Sequence, residues 1–149
     1  MTVWPDLSGR IVEGIHVLPV RVYYEDTDFT GIVYHGAYVQ FFERGRSDFL
    51  RNAGVHHSEL KLGVDGKSLA FAVRKMSLDF LKTATIDDVL EVQTRLIEQK
   101  GARISLHQQI IRGDEVLVSA DVVVAVITAD GRPVRLPAHL SQRLNEACQ

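Results

Sequence analysis

Apolar residues alternate with polar residues in five separate stretches of the chain, and this period of two predicts five β-strands. The predicted strands cover residues 15–24, 69–81, 89–98, 103–112 and 115–128. The alternation of the second strand slips near Arg74 and Lys75, which predicts a β-bulge at that position. The last strand is apolar on both faces, which is typical of a strand that is covered on both sides.

One stretch between the first and second strands has a helical period instead. Large apolar residues recur at spacings of three and four, which predicts an amphipathic helix over residues 36–53. Gly54 follows directly and suits the left-handed position that ends many helices. Gly45 lies on the apolar face, where glycine costs about 1 kcal/mol relative to alanine. Its presence indicates that the helix approaches the sheet closely.

The order of these elements predicts an α+β fold, with an antiparallel sheet and one central helix against one of its faces. Lys100-Gly101 and Gly113-Asp114 are tight-turn signals between consecutive strands. One helix covers only one face of such a sheet, so strands this apolar indicate that a partner subunit covers part of the rest. Residues 1–14 are predicted to be an N-terminal arm, and residues 15–149 a single domain.

Composition narrows the class of protein further. The chain has 149 residues, of which 46% are hydrophobic and 24% charged, which excludes a disordered chain. Its net charge of −2 provides no global positive field, so we expect no nucleic-acid partner. The single cysteine, Cys148, excludes a disulfide framework. The absence of an apolar stretch suited to a signal peptide or a membrane span predicts a cytoplasmic protein.

The segment between the first strand and the helix, residues 25–35, holds the densest candidate chemistry. A helix N-terminus presents unpaired backbone N–H groups and a partial positive charge, which can stabilise an oxyanion. A carboxylate in the preceding loop, such as Asp28, can act beside it as a base or nucleophile, and acyl transfer needs these two groups. An ordinary turn capped by Asp side chains is the alternative that the spacing alone leaves open.

The motifs of this segment identify a resemblance to a known family. The chain resembles the hotdog-fold acyl-CoA thioesterases, and more narrowly the branch associated with the bacterial Tol–Pal system, related to 4-hydroxybenzoyl-CoA thioesterase. The similarity covers nearly the whole chain after residue 14. It is carried by residues 20–28, Gly31, Val33-Tyr34-His35, Tyr38, Phe42-Glu43-Arg44, Arg46, residues 71–76, residues 87–94 and residues 133–137.

The resemblance implies a five-stranded antiparallel sheet wrapped around one long central helix. It also implies hydrolysis of an acyl-CoA thioester to a free carboxylic acid and coenzyme A, with no metal and no cofactor. A homodimer or homotetramer with active sites at the subunit boundary is the expected assembly. An acyl carrier protein is a further candidate partner.

The resemblance assigns the catalytic carboxylate to Asp28, as nucleophile or as general base for water. An ordinary Asp pKa of ~3.9 favours the nucleophile, because such a carboxylate is a poor base at neutral pH. The backbone N–H near His35 corresponds to the oxyanion donor, and the His35 imidazole is a possible second contact. Asp26 is interpreted as structural, and Glu43 as ion-paired or solvated.

Substrate contacts are predicted at Tyr34 and Gly31, beside these catalytic groups. Arg74 and Lys75 are the candidate partners of the coenzyme A phosphates, although sheet edges often carry such cations in any case.

Two rival functions remain open at the level of sequence. A hotdog hydroxyacyl-thioester dehydratase would need an acid–base pair, for which His35 and Glu43 are the candidates. A non-catalytic acyl-carrier or envelope-complex adaptor could keep the fold without the chemistry. The intact motif around Asp28 argues against the adaptor.

Overall fold

The computed structural model describes residues 3–63 and 66–149. They form one antiparallel sheet of six strands, in the order β1-β2-β4-β5-β6-β3, with a long helix against one face. The strands are β1 (Arg10–Val12), β2 (Ile15–Arg21), β3 (Leu69–Phe80), β4 (Val89–Lys100), β5 (Arg103–Arg112) and β6 (Glu115–Thr128). The helices are α1 (His35–Asn52), α2 (His57–Leu62) and α3 (Ala138–Ala147), and Tyr24–Asp26 form one turn of 3-10 helix.

The sheet has six strands rather than the predicted five, because Arg10–Val12 in the predicted arm pair with β2. A strand of three residues is too short to show a clear alternation. It is fixed by groups distant in sequence: His16 on β2 donates from Nε2 to the Ser8 carbonyl at 2.7 Å. Asn52, at the end of α1, donates to the same carbonyl at 3.0 Å. The segment before residue 15 is therefore tied to both the sheet and the helix.

Helix α1 lies close to the sheet at Gly45, as its position on the apolar face predicts. A Cβ atom at Gly45 would lie 2.7 Å from Cγ1 of Val92 on β4, so a larger side chain there would force the two elements apart. Phe42 and Phe49, on the same face of the helix, are completely buried. The helix position is thus set by contacts with the middle of the sheet.

Strand β3 forms one edge of the sheet and contains the predicted bulge. Its pairing with β6 shifts register between Val73 and Lys75. A bulge inserts one extra residue into one strand of a pair. Because side chains alternate across a strand, the extra residue brings Phe71 and Val73 to the same face as Met76. This face borders the helix side of the sheet.

The sequence pattern does not predict helices α2 and α3. Helix α3 packs through Leu140 and Leu144, which are buried, and its Arg143 forms an ion pair of 2.8 Å with Glu59 on α2. Both helices are short, so their periodicity is weak. In the described part of the chain, no helix combines the length and the apolar character needed to cross a membrane.

Candidate active site

A cavity of about 290 Å³ lies at the N-terminus of α1, where three segments meet. The segments are the loop before α1, the first turn of α1, and the end of β3 with the loop that follows it. The cavity is lined by Asp28, Ile32, Val33, Tyr34, His35, Tyr38, Phe80, Leu81, Lys82 and Thr83. It therefore brings a carboxylate and a helix N-terminus together, whereas the ammonium group of Lys82 is paired with Glu115 at 2.8 Å.

The loop before α1 is folded back on itself, which fixes the position of Asp28. The backbone N–H of Asp28 donates to the Ile32 carbonyl at 2.9 Å, and the N–H of Gly31 donates to the Asp28 carbonyl at 3.1 Å. Gly31 has a φ of 86°, a left-handed conformation that favours glycine. Buried Asp26 accepts a hydrogen bond from the Tyr23 N–H at 2.9 Å, in agreement with the structural role predicted for it.

The Asp28 carboxylate is held by Thr30. Its Oδ1 atom accepts hydrogen bonds from both the backbone N–H of Thr30, at 2.8 Å, and the Thr30 hydroxyl. These donors favour the charged form and hold the pKa of Asp28 below the ordinary value of 3.8. The carboxylate is therefore ionised at neutral pH.

The N-terminus of α1 presents unpaired amides to the same region. Tyr34 is the N-cap residue, and its side chain makes no capping hydrogen bond. Its own N–H donates to the Asp26 carbonyl. Among the residues that the structure describes, no acceptor bonds to the N–H of His35 or of Gly36, the first two helical residues. Two backbone donors and the positive end of the helix dipole thus lie beside the cavity.

Aromatic rings form a wall of the cavity. The His35 ring lies 4.4 Å from that of Tyr34 and 6.2 Å from that of Phe80, measured between centroids. The Tyr38 ring lies 6.0 Å from that of Phe80. The Tyr38 hydroxyl oxygen accepts a hydrogen bond from the Ala84 N–H at 2.9 Å, and burial raises the pKa of the phenol.

The loop after β3 is braced by an ion pair at the base of β4. Asp88 accepts hydrogen bonds from the Thr85 N–H and from Arg112, both at 2.9 Å. Arg112 also donates to the Thr83 carbonyl at 3.2 Å. The Thr85 N–H and the Arg112 guanidinium together hold the pKa of Asp88 below its ordinary value. These hydrogen bonds hold Thr83 and the adjacent Lys82 next to the cavity.

The structure brings together only some of the residues singled out in the sequence. Asp28, Tyr34 and His35 line one cavity, whereas Gly31 shapes the turn beside it. Arg74 and Lys75 are exposed in the middle of β3 and do not line this cavity. Their contact with coenzyme A stays a prediction.

Tyr38, Phe80 and Lys82 are among the cavity residues that received no functional role from the sequence. Tyr38 falls on the apolar face of the helix, where its spacing indicates core packing. Phe80 and Lys82 flank the end of a strand, where an aromatic residue and a lysine are common. Of these three residues, only Tyr38 could be linked to the site from the sequence, because it belongs to the family motif.

A second cavity, of about 450 Å³, lies farther along α1. Glu43 lines this cavity rather than the one that contains His35. The complete lining is Val39, Glu43, Arg46, Ser47, Phe49, Leu50, His57, Phe71, Val73, Met76, Ile104, Leu106 and Val124.

Comparison with known proteins agrees with this fold. The family model of the thioesterase-like superfamily matches residues 22–144. The chain belongs to the thioesterase-like superfamily, whose members share the hotdog fold, and the resemblance inferred from the sequence motifs is confirmed at this level.

Individual relatives carry more specific names. The chain is 41% identical over 120 residues to an acyl-CoA thioesterase, YbgC, of Haemophilus influenzae, covering 80% of this chain and 86% of the relative. It is 40% identical over 110 residues to the acyl-CoA thioester hydrolase YbgC of Escherichia coli O157:H7, covering 73% and 79%. A solved probable thioesterase from Bartonella henselae superposes with a TM-score of 0.79 at 46% identity, covering 83% and 99%.

Proposed function

We propose that this protein is an acyl-CoA thioesterase, which hydrolyses an acyl-CoA thioester to a carboxylic acid and coenzyme A. One juxtaposition carries the proposal: the ionised Asp28 carboxylate and His35, the first residue of α1, line the same cavity. The N–H groups of His35 and of the adjacent Gly36 have no acceptor among the described residues. The names of relatives at 40% and 41% identity support it.

In the proposed first step, an Asp28 oxygen attacks the thioester carbonyl carbon. The negative charge that develops on the carbonyl oxygen accepts hydrogen bonds from the His35 and Gly36 N–H groups. The tetrahedral intermediate then collapses, the carbon–sulfur bond breaks, and the thiolate of coenzyme A leaves and takes a proton from solvent. The product is a mixed anhydride of the acyl group and Asp28.

In the second step, water attacks the anhydride, releases the carboxylic acid and restores the Asp28 carboxylate. The alternative role for Asp28 is a general base that removes a proton from water. The hydrogen bonds from Thr30 lower the pKa of Asp28, which favours the nucleophile, because an efficient general base has a pKa near the working pH.

The proposed assembly is a homodimer formed through the β3 edge. That edge has strand β6 on one side only, so its other row of backbone groups is available to pair with a second chain. Apolar side chains are exposed beside it, including Val73 and Phe80, each 50% exposed. Pairing would bring the exposed Arg74 and Lys75 to the subunit boundary, where they could meet coenzyme A phosphates.

The dehydratase alternative is less well supported by the geometry. It needs His35 and Glu43 to act on one substrate carbon, but the two side chains line separate cavities. An acyl carrier protein as acyl donor, a cytoplasmic location and a Tol–Pal association are further proposals, which rest on the family resemblance.

The test is the release of free thiol from a panel of acyl-CoA substrates by the wild type and by Asp28→Asn. The substitution keeps the size of the side chain and removes its charge, so we expect kcat to fall at least ~10²-fold. Asp114→Asn, the same change in an exposed turn between β5 and β6, is the matched control and should keep wild-type turnover. Light scattering should give a dimer for all three proteins.

Near-normal turnover by folded Asp28→Asn protein would contradict the assignment of Asp28. A fully active monomer would contradict the shared active site. If none of the acyl-CoA substrates releases thiol with the wild-type protein, the thioesterase proposal itself fails.

A further inference from the structure

The second cavity contains an arginine among mostly apolar side chains. Arg46 projects from the middle of α1 into a cavity whose other walls include Phe71, Met76 and Leu106. Among the described residues, no carboxylate lies within 4.0 Å of its guanidinium. Burial lowers the pKa of Arg46, and the charge of exposed Glu43 opposes this effect only in part. Glu43 lines the same cavity, but its carboxylate lies more than 4.0 Å from the guanidinium, so Arg46 has no ion-pair partner among the described residues.

The Arg46 guanidinium is held in place by the sheet. Its Nη1 atom donates to Oε1 of Gln108 at 3.0 Å. Gln108 is completely buried on β5, and its Nε2 atom donates to the Phe42 carbonyl at 3.0 Å and to Thr94 Oγ1 at 2.9 Å. Gln108 thus has three hydrogen bonds, and Arg46 uses only one nitrogen to reach it. The remaining N–H groups are available to a ligand in the cavity.

The cavity lies along the same helix face as the active site. One stripe of side chains along α1, at spacings of four and seven residues, contains His35, Val39, Arg46 and Leu50. His35 lines the first cavity, and the other three residues line the second. The opposite wall is also shared, because β3 contributes Phe80 to the first cavity and Met76 to the second.

The distance from the start of α1 to Arg46 suits an extended acyl chain. Arg46 lies eleven positions after His35, which corresponds to about 16 Å of helix at 1.5 Å per residue. The bulge in β3 turns Phe71 and Val73 toward the cavity, which extends its apolar wall. A thioester whose carbonyl binds at the start of α1 could therefore extend its chain toward Arg46.

We propose that Arg46 is a specificity-determining residue that binds a carboxylate at the distal end of the acyl chain. The preferred substrates would then be ω-carboxyacyl thioesters of medium length. The inference rests on the proposed thioesterase function and adds the substrate class. The planar guanidinium can donate two parallel hydrogen bonds to a carboxylate. A carboxylate would also give Arg46 an ion-pair partner at contact distance, which a terminal methyl group cannot do.

The experiment compares matched substrates: decanoyl-CoA, ω-hydroxydecanoyl-CoA and sebacoyl-CoA, which carries a distal carboxylate. For the wild type we expect kcat/KM for sebacoyl-CoA to exceed that for decanoyl-CoA by about ten- to a hundredfold, as for a hydrogen bond to a charged group. Arg46→Met keeps an unbranched side chain without charge, and the ratio should fall to one or below. Arg46→Lys keeps the positive charge but loses the planar guanidinium group, so it should give an intermediate ratio.

Arg44→Met is the matched control, because Arg44 is an exposed arginine on the same helix that lies over the Phe41 ring instead of the cavity. It should keep the wild-type ratio. Calorimetric titration with free sebacate and with decane-1,10-diol, which has the same length but no carboxylate, provides a second measurement that needs no turnover. Sebacate should bind the wild type more tightly than the diol, and Arg46→Met should remove the difference.

Three results would overturn the inference while leaving the thioesterase function intact. The first is equal wild-type efficiency with sebacoyl-CoA and decanoyl-CoA. The second is a preference for the ω-hydroxy substrate over the carboxylate. The third is an equal loss on all substrates in Arg46→Met together with a changed oligomeric state, which would show that a second copy of the chain fills the cavity. If no substrate is hydrolysed, the thioesterase proposal fails, and the sebacate titration alone decides the role of Arg46.

Discussion

The first turn of helix α1 and its middle differ in what their polar groups bond to. In the middle, the Phe42 carbonyl accepts a hydrogen bond from buried Gln108, and Gly45 lies against β4. In the first turn, no described residue accepts a hydrogen bond from the N–H groups of His35 and Gly36. The middle therefore fixes where the helix lies, whereas the first turn leaves donors available to a substrate.

The aromatic residues follow the same division. Phe42, in the middle of α1, is 0% exposed, whereas Phe80 at the first cavity is 50% exposed and Phe29 in the preceding loop is 100% exposed. Large apolar side chains stabilise a fold in proportion to the surface that they bury. Phe42 should therefore contribute mainly to stability, and Phe80 mainly to the site or to the subunit interface.

The most direct test of this comparison is to replace phenylalanine by alanine in both regions. We expect Phe42→Ala to lower the free energy of unfolding by about 3–5 kcal/mol, because it leaves a cavity in the core. Phe80→Ala should cost at most about 1.5 kcal/mol, since its ring is half exposed and its contacts are aromatic pairs. Urea denaturation at one fixed protein concentration measures both values.

Turnover should show the opposite order. The folded fraction of Phe42→Ala should keep wild-type kcat, whereas Phe80→Ala should lose about tenfold or more, because it removes the ring that packs against His35 and Tyr38. If the two variants lose stability and turnover in equal proportion, the division between packing and site is wrong.

A pair of substitutions at His35 separates the backbone of the first turn from its side chains. His35→Pro removes the N–H donor, and loss of one oxyanion donor lowers kcat by roughly 10²–10³-fold. Proline is well tolerated at the first helical position, so the helix should still form. His35→Gln keeps the donor and should retain activity within ~10²-fold of the wild type in the same thiol-release assay.

The two His35 variants are compared only if circular dichroism and light scattering match the wild type. Equal losses in both, with the neutral limb of the pH–rate profile removed, would instead show that the imidazole acts as an acid or base. That result would revive the dehydratase alternative.

The sequence predicts the sheet and α1 well because their patterns are long. Strands β5 and β6 begin and end at the predicted residues, and the bulge lies where the alternation slips near Arg74. The close contact between α1 and the sheet is also predictable from Gly45, since glycine on an apolar helix face indicates close packing. Strand β1 is too short to show a pattern, and contacts from His16 and Asn52 position it.

The site is predictable where a motif is local and not where it depends on the fold. Asp28 and His35 are close in sequence, so the loop and the helix start could be placed together. Phe80 and Lys82 reach the same cavity from the end of β3 and the loop after it, which strand pairing positions and no local pattern encodes. Arg46 is part of the family motif, but its meaning depends on Gln108, which is 62 residues away.

The smallest expected effect concerns the hydrogen bonds that tune Asp28. Thr30→Ala removes the hydroxyl donor to Asp28 Oδ1 and keeps the backbone donor, so the pKa of the carboxylate should rise toward its ordinary value. If catalysis needs the ionised form, activity is present above this pKa and is lost as pH falls through it. The acid limb of the kcat/KM profile should therefore move to higher pH in Thr30→Ala and return in Thr30→Ser.

At neutral pH the carboxylate is ionised in all three proteins. Its slightly higher basicity in Thr30→Ala makes it a slightly better nucleophile, so turnover at neutral pH should change by no more than a few-fold. An acid limb that stays in place in a folded Thr30→Ala protein would show that another group controls it. The region at the start of α1 would then differ from the middle of the helix by its free N–H donors alone, and not by a carboxylate with a lowered pKa in the preceding loop.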